Sequence, residues 1–439
     1  MKRRLLPMMM TLVLVCALPI WAAFVTSGDV TNPLVSTAGA TSPPDNAATR
    51  LKSAISNGGD VRLTEDIEIS ETLVVTRDVT LDLNGHVLKM TGDGSVLKVS
   101  GRATLTIQDS SAAKSGTITG GNAKDGGGVY IEAYATLEMT GGCITGCRAE
   151  DGGGVYIDNN ATLKMTGGCI TDCHASYGGG IYSYENLYMG GTAKIEKCTS
   201  NGGSYDAIWN RERCNIYADG GTVDGTVSNL GTIMHSEGAA AETVFNGTVY
   251  NRSAGKIEAG IYKGTVENTG TITGGTFYDA VTNRKASLSF MTEAGTISGG
   301  TFYGSIVNEG GPEQVADSAK VAVTFNTDGG TSVAEEKVLR GQKMSKPAAP
   351  TKSGYTFTGW EDANGAYDFN TPVIAPLTLT ARWEEVPSSG GNYYYHPTTD
   401  TKADDAKGSP KTADPGVALY AALSLLSLTG LTYTGRKKF

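Results

Sequence analysis

Asp125-Gly-Gly-Gly-Val-Tyr-Ile131 returns 26 residues later as Asp151-Gly-Gly-Gly-Val-Tyr-Ile157, and once more as Tyr177-Gly-Gly-Gly-Ile-Tyr-Ser183. A period between about 20 and 50 residues marks stacked structural units rather than one compact core. The slots between the glycine triplets repeat as well: Leu137 and Met139 align with Leu163 and Met165, then with Leu187 and Met189 in a slightly shortened third copy. These pairs have period 2, the alternation of a strand, so they point inward while Glu138, Lys164 and Tyr188 between them point out. Glu138 beside Lys164 is then an opposite-charge pair across neighbouring strands. Three short strands per repeat, turned at the glycines, make a parallel β-helix with coils about 4.8 Å apart. No single unit buries its own apolar face, so stacking makes the core.

The regular coils cover residues 115–200, and the solenoid as a whole is expected over 47–312. Downstream, at 215–310, a looser series shares one template: Gly225-Thr-Val-Ser-Asn229, Gly247-Thr-Val-Tyr-Asn251, Gly264-Thr-Val-Glu-Asn268 and Gly304-Ser-Ile-Val-Asn308. Gly274-Gly-Thr-Phe-Tyr278 likewise recurs as Gly299-Gly-Thr-Phe-Tyr303. These read as further coils with loops of varying length, the fixed Asn suiting a corner with left-handed dihedrals. Upstream, residues 47–59 form an N-terminal cap, a short helix with Leu51, Ala54 and Ile55 on one face, ending at Gly58-Gly59. Gly-Gly-Gly-Val-Tyr followed by Thr-Leu-x-Met-Thr-Gly-Gly-x-Ile-Thr resembles the right-handed β-helix repeats of bacterial adhesins and polymorphic outer-membrane proteins. Such a motif identifies a fold and not an activity.

From Val321 the texture changes to Val323-Thr-Phe-Asn-Thr-Asp-Gly-Gly-Thr331, Pro350-Thr-Lys-Ser-Gly-Tyr-Thr-Phe-Thr-Gly-Trp360 and Leu377-Thr-Leu-Thr-Ala-Arg-Trp383. Residues 320–384 resemble a Listeria–Bacteroides repeat of the internalin B type. The resemblance implies a small β-grasp-like fold, a core of Phe325, Tyr355, Phe357, Trp360, Phe369 and Trp383, and a spacer or weakly adhesive module rather than a catalyst. Residues 385–408 lack apolar periodicity and read as a stalk.

The two ends carry targeting signals. Lys2, Arg3 and Arg4 precede the apolar run 12–18 and Ala22-Ala23, the order of a secretory signal peptide over 1–23. Residues 24–46, rich in Ser, Thr, Pro and Ala, read as a flexible leader. At the other end an apolar span over 416–434 is followed by Arg436, Lys437 and Lys438, a stop-transfer pattern and an expected transmembrane helix. Upstream of it, Ser409, Pro410, Lys411, Thr412 and Ala413 resemble a sortase sorting motif, within a signal spanning 409–439. The family pattern has Gly where this chain has Ala413. The resemblance implies attachment to peptidoglycan through Thr412, and without cleavage the span anchors the chain in the membrane. Either way the chain is expected outside the cell, on the wall or plasma membrane. The fold class is therefore all-β: a parallel β-helix, a β-grasp-like repeat domain and a C-terminal transmembrane helix.

Composition narrows the function. With 59 Gly and 20 Tyr the chain suits turn-rich β structure, and a formal net charge of −9 without a clustered basic patch argues against nucleic acid. Of the seven Cys, Cys143 and Cys169, and likewise Cys147 and Cys173, are one coil apart, within reach of two coil-to-coil disulfides. The alternatives are a reduced ladder of small residues and a zinc site; ligands along a ladder do not converge tetrahedrally, and no metal or other cofactor is expected. Tyr130, Tyr156 and Tyr182 share one outward slot. Such a column either stacks on sugar rings or covers itself as cross-strand aromatic pairs do. Asp125 and Asp151 stack before the glycine triplets, where a turn-forming role suffices. Polysaccharide-cleaving β-helices need an acid–base pair, and neither that nor a Ser-His-Asp order is visible. The expectation is a non-enzymatic, envelope-anchored surface protein that contacts host or environmental glycans or proteins. The alternatives are a tethered polysaccharide lyase or glycoside hydrolase, and a purely structural envelope protein.

Overall fold

The computed structural model describes residues 46–201, 207–285, 294–311 and 314–387. The signal peptide, the leader up to 45, the stalk beyond 387, the sorting motif and the C-terminal span lie outside them. Among the described residues no helix is long and apolar enough to cross a membrane.

The first element is the helix Ala47–Asn57. The Asn46 side chain accepts the Thr49 N–H at its start, and Gly58, at φ 80°, ends it where a side chain would be strained. Its buried face of Leu51, Ala54 and Ile55 covers the first strands, Gly59–Arg62, Ile67–Ile69 and Leu73–Val75. An open solenoid end exposes unpaired strand edges, and this helix closes one.

From there to Asn308 the chain winds as a parallel β-solenoid with three strands in each regular coil, for example Val129–Ile131, Thr136–Met139 and Cys143–Thr145. The first belongs to an eleven-stranded parallel sheet, here sheet 1. The other two belong to a twenty-stranded sheet, sheet 2, whose two faces are joined where Asn186–Glu196 and Asn215–Val223 run round the corner unbroken. Register follows the sequence repeat. Leu137 pairs with Leu163 and then Leu187, Met139 with Met165 and Met189, and all six are buried. Glu138 stands opposite Lys164 at 3.6 Å on the outside.

The glycine triplets are corners of a specific kind. Gly152 takes φ 67°, and a Cβ on the next residue, Gly153, would lie 2.5 Å from the carbonyl oxygens of Gly179 and His174. The turn therefore needs a left-handed dihedral and then a position with no side chain, so that coils close up to strand spacing.

Beyond Ser183 the coil interior changes, and from Asn210 the coils are shorter than the regular period. Asn210, Asn229, Asn251, Asn268 and Asn283 are fully buried, and the Nδ2 of each donates to the Oδ1 of the next at 2.7–2.9 Å, ending on Asn308. Several of these amides also close their own turn, as Asn229 does on the Gly231 carbonyl and Asn268 on that of Gly270. The left-handed corner expected for these asparagines is not what they do, because none has a positive φ. They point inward on the same strand face as Val227, Val249 and Val266, and the ladder satisfies their buried amides. Alongside runs a stack of Phe245, Tyr262, Phe277 and Phe302, with centroids 4.8–5.0 Å apart and ring planes within 11° of parallel. The Tyr262 hydroxyl, inside the core, donates to the Ala259 carbonyl at 2.7 Å.

Residues 320–385 form a separate five-stranded sheet, in order Glu336–Leu339, Lys320–Asn326, Leu377–Glu385, Tyr355–Asp362 and Gly365–Ala366, with the second and third parallel. Val323, Trp360, Leu379 and Ala381 are its buried centre, and Phe325, Phe357, Phe369 and Trp383 pack on them. Tyr355 departs from the expected core: it is half-buried beneath the Lys352 ammonium, with its hydroxyl on Glu385. This domain does not hang free as a spacer would. The Arg340 carbonyl accepts the Ile306 N–H of the last coil at 2.8 Å, the Arg340 Nε donates to the Tyr303 carbonyl at 2.9 Å, and Leu339 packs on the solenoid core. It closes the second end as the helix closes the first.

Candidate aromatic cleft on the first sheet

Sheet 1 is built from three-residue strands, so its middle residues alone face out. Read coil by coil they are Val74, Lys98, Tyr130, Tyr156, Tyr182, Trp209, Ser228, Tyr250, Glu267, Thr282 and Val307. Four successive coils thus carry a ring, and the three tyrosines picked out by sequence are the first three.

Their rings spend most of their faces on one another. Tyr130 meets Tyr156 edge-on at 5.3 Å, Tyr156 lies parallel to Tyr182 at 5.5 Å, and Tyr182 stacks on Trp209 at 6.0 Å. Tyr182, expected at the surface, is only 6 % exposed, because Tyr156, Tyr184 and Trp209 surround its ring and Arg211 reaches its hydroxyl. The self-covering alternative thus describes the middle of the column. Burial pushes the phenols up: Tyr130, whose hydroxyl also bonds Asp158 at 3.1 Å, to about 12, and Tyr156 and Tyr182 further. All three stay neutral hydrogen-bonding groups at physiological pH.

The rings open to solvent at the downstream end. There an open cleft of about 780 Å³ is lined by Tyr177, Tyr182, Tyr184 and Trp209, by Arg211 and Arg213, and by the amides of Asn159 and Asn160. Tyr177 stands at right angles to Trp209 with centroids 4.7 Å apart. The Arg211 guanidinium lies 4.3 Å over the Tyr184 ring and donates to the Tyr182 and Tyr184 hydroxyls. Glu185, on the cleft wall, is held by the Asn160 N–H at 3.1 Å and the Asn186 amide at 3.2 Å. Such a cleft can lay an apolar ring face against indole or phenol and offer hydrogen bonds at its rim, as ligand sites commonly do. Tyr184, Trp209 and Arg211 were not found from sequence; Trp209 lies 27 residues after Tyr182, one more than the strict period.

A second concavity, about 770 Å³, opens at the upstream end between Lys98, Asn122, Asp125 and Tyr130. Asp125 lines it and Asp151 is its neighbour on the next coil, and neither carboxylate forms a hydrogen bond or ion pair among the described residues. At these corners Gly126 and Gly152 are left-handed and the Asp151 carbonyl accepts the Gly126 N–H, so the aspartates take part in the turns through backbone and not side chain. Burial raises both, Asp151 further by the Asp125 charge.

The cysteines divide between faces. Cys143 and Cys169 are disulfide-bonded with Cα atoms 4.5 Å apart. Cys147 and Cys173, the other pair within reach of a bridge, are buried thiols continued by Cys198, each Sγ turned to a strand carbonyl in the core. Among the described residues no cluster of His, Cys, Asp and Glu could hold a metal.

Comparison with known proteins places one part of this chain. Residues 322–382 match the Listeria-Bacteroides repeat domain family. Among similar proteins are one of Evansella cellulosilytica provisionally named a Gly-rich membrane protein, 36% identical over 14% of this chain and 8% of its own length, and a second provisionally named membrane protein of that organism, 32% identical over 26% and 17%. Internalin H of Listeria monocytogenes is 34% identical over 20% of this chain and 16% of its own. The matches span less than a fifth of each relative. What they establish is local: the sheet that closes the downstream end of the solenoid is a Listeria–Bacteroides repeat domain.

Proposed function

We propose that this chain is a bacterial envelope protein that presents its solenoid outward and binds glycan in the cleft around Trp209 and Tyr184, without cleaving it. One observation carries the reading: the outward rings of sheet 1 end in a cleft where indole, phenol, guanidinium and amide groups converge. The names of the relatives, membrane proteins and an internalin, support a surface location. The signal peptide and sorting motif read from sequence supply the route, with peptidoglycan joined at Thr412 or the apolar span held in the membrane. Retention of purified protein on a panel of immobilised plant, bacterial and host polysaccharides tests the binding. Trp209→Ala with Tyr184→Ala is expected to abolish retention while the circular dichroism spectrum stays β-rich; unchanged retention sinks the assignment.

The enzyme reading keeps one specific support, the stacked Asp125 and Asp151, both raised by burial beside the Tyr130 concavity. Shortened or unsaturated oligosaccharides after incubation, lost in Asp151→Asn, would favour it over simple binding.

A further inference from the structure

The cleft resembles an aromatic cage for a cation, since Tyr177, Tyr182, Tyr184 and Trp209 surround one space. Its cation is already present. Arg211 lies on the Tyr184 face and is fastened to two phenols, so a cationic ligand would meet a like charge in the position it needs. The guanidinium also makes no ion pair among the described residues: Asp151 acts on it only through space, and its hydrogen bonds there are to neutral hydroxyls. Burial works against its charge, but the two phenols together outweigh it and keep its pKa above the ordinary value, so it stays charged. Arg213, exposed on the same wall, has neither a hydrogen bond nor an ion pair among the described residues. Of the two wall carboxylates, Glu185 is engaged by the Asn160 and Asn186 groups and Glu212 is exposed to water.

A partly buried guanidinium that lies over a ring and gives both hydroxyl bonds from Nη1 keeps donors for a planar anion that accepts two parallel hydrogen bonds. Resting on the glycan reading, we infer that the cleft takes an acidic sugar, a uronic-acid residue whose carboxylate meets Arg211 while its ring lies against Trp209. Arg213 adds long-range attraction.

The test is calorimetric titration of the full chain with an oligogalacturonate, its methyl-esterified counterpart and a sulfated oligosaccharide. Wild type is expected to bind the acid at least tenfold more tightly than the ester. Arg211→Gln should bring the two together, and Arg211→Lys, which keeps the charge but loses the fork, should lose most of the preference. Arg213→Gln, at an exposed position, should weaken the acid about two- to threefold without altering the fold. Equal binding of acid and ester by wild type overturns the acidic-sugar assignment and leaves glycan binding standing. A sulfated ligand bound as tightly as the carboxylate also overturns it, since the fork would then read charge alone. No binding of any of the three, together with no retention on the polysaccharide panel, removes both readings.

Discussion

The same two interior columns run through the regular coils before Ser183 and the irregular coils after it, and they are built from different chemistry. One passes Ile131 and Ile157, reaches Ser183, and becomes Asn210 and the asparagine ladder. The other passes Ile144, Ile170 and Ile195, then Val223, and becomes Phe245, Tyr262, Phe277 and Phe302. Aliphatic columns hold by close packing, which is non-directional and tolerates little change of volume or period. Successive ladder asparagines are 19, 22, 17, 15 and 25 residues apart, far from one strict period. A directional bond at one point per coil fixes register, so loops between can vary. Strict repetition has its own cost, because identical residues face each other. Glu138 against Lys164 escapes it, and Asp125 against Asp151 does not.

Single substitutions on either side of Ser183 test that contrast. Leu163→Ala leaves a void between Leu137 and Leu187 and is expected to cost about 3 kcal/mol, read as the denaturation midpoint. Asn251→Ala takes the donor from the Asn268 Oδ1 and the acceptor from the Asn229 Nδ2, and about 2 kcal/mol should go with it. A neutral outcome there would mean that the ladder does not hold the narrow coils. At the junction, the Asn210 Oδ1 is buried with no donor, because Ser183 above it bonds to the Glu185 backbone instead. Ser183→Asn should supply that donor and stabilise the chain by about 1 kcal/mol; a lower midpoint would show that the ladder cannot be extended into a wider coil.

The smallest effect concerns the stacked carboxylates. Asp151 is raised in the folded chain, so the folded state holds its proton to higher pH than the unfolded state, and stability falls as pH rises through that window. Asp151→Asn should therefore raise the midpoint at pH 7 and change nothing well below 3.8, the ordinary carboxyl value. An equal gain at both pH values would place the effect in packing rather than charge. The inward thiols give a further check on the regular coils. Cys147 is pushed well up by its hydrogen bond with Cys173 and by burial; Cys173 is lowered by that bond but raised by Cys198 and burial, to about 12. Alkylation of Cys147, Cys173 and Cys198 should need denaturant, and ready labelling at neutral pH would show that the column opens.

Much of this was legible because repetition places residues on columns without further information: the coil, the Leu and Met rows, the Glu138–Lys164 pair and the tyrosine slot all follow from the period. The ladder was legible in principle. The alternation that puts Val227 inside puts Asn229 inside too, and only the habit of assigning Asn to corners hid it. The cleft was not, because Tyr184 and Arg211 lie on adjacent coils and meet through a contact between coils that no aligned motif carries. Nor was the docking of the repeat domain, which joins the Ile306 N–H to the Arg340 carbonyl, the Arg340 side chain to the Tyr303 carbonyl and Leu339 to the solenoid core, contacts that no repeated motif marks.

Asn229, Asn251, Asn268 and Asn283 each give one ladder bond downstream and receive one from upstream, so every internal joint presents the same two ends. A coil duplicated or lost between two such joints leaves its neighbours with partners of unchanged kind. Unequal recombination within the gene could thus lengthen or shorten the downstream half of the solenoid without redesigning the closures at either end, which makes its length a quantity that selection can tune in single steps.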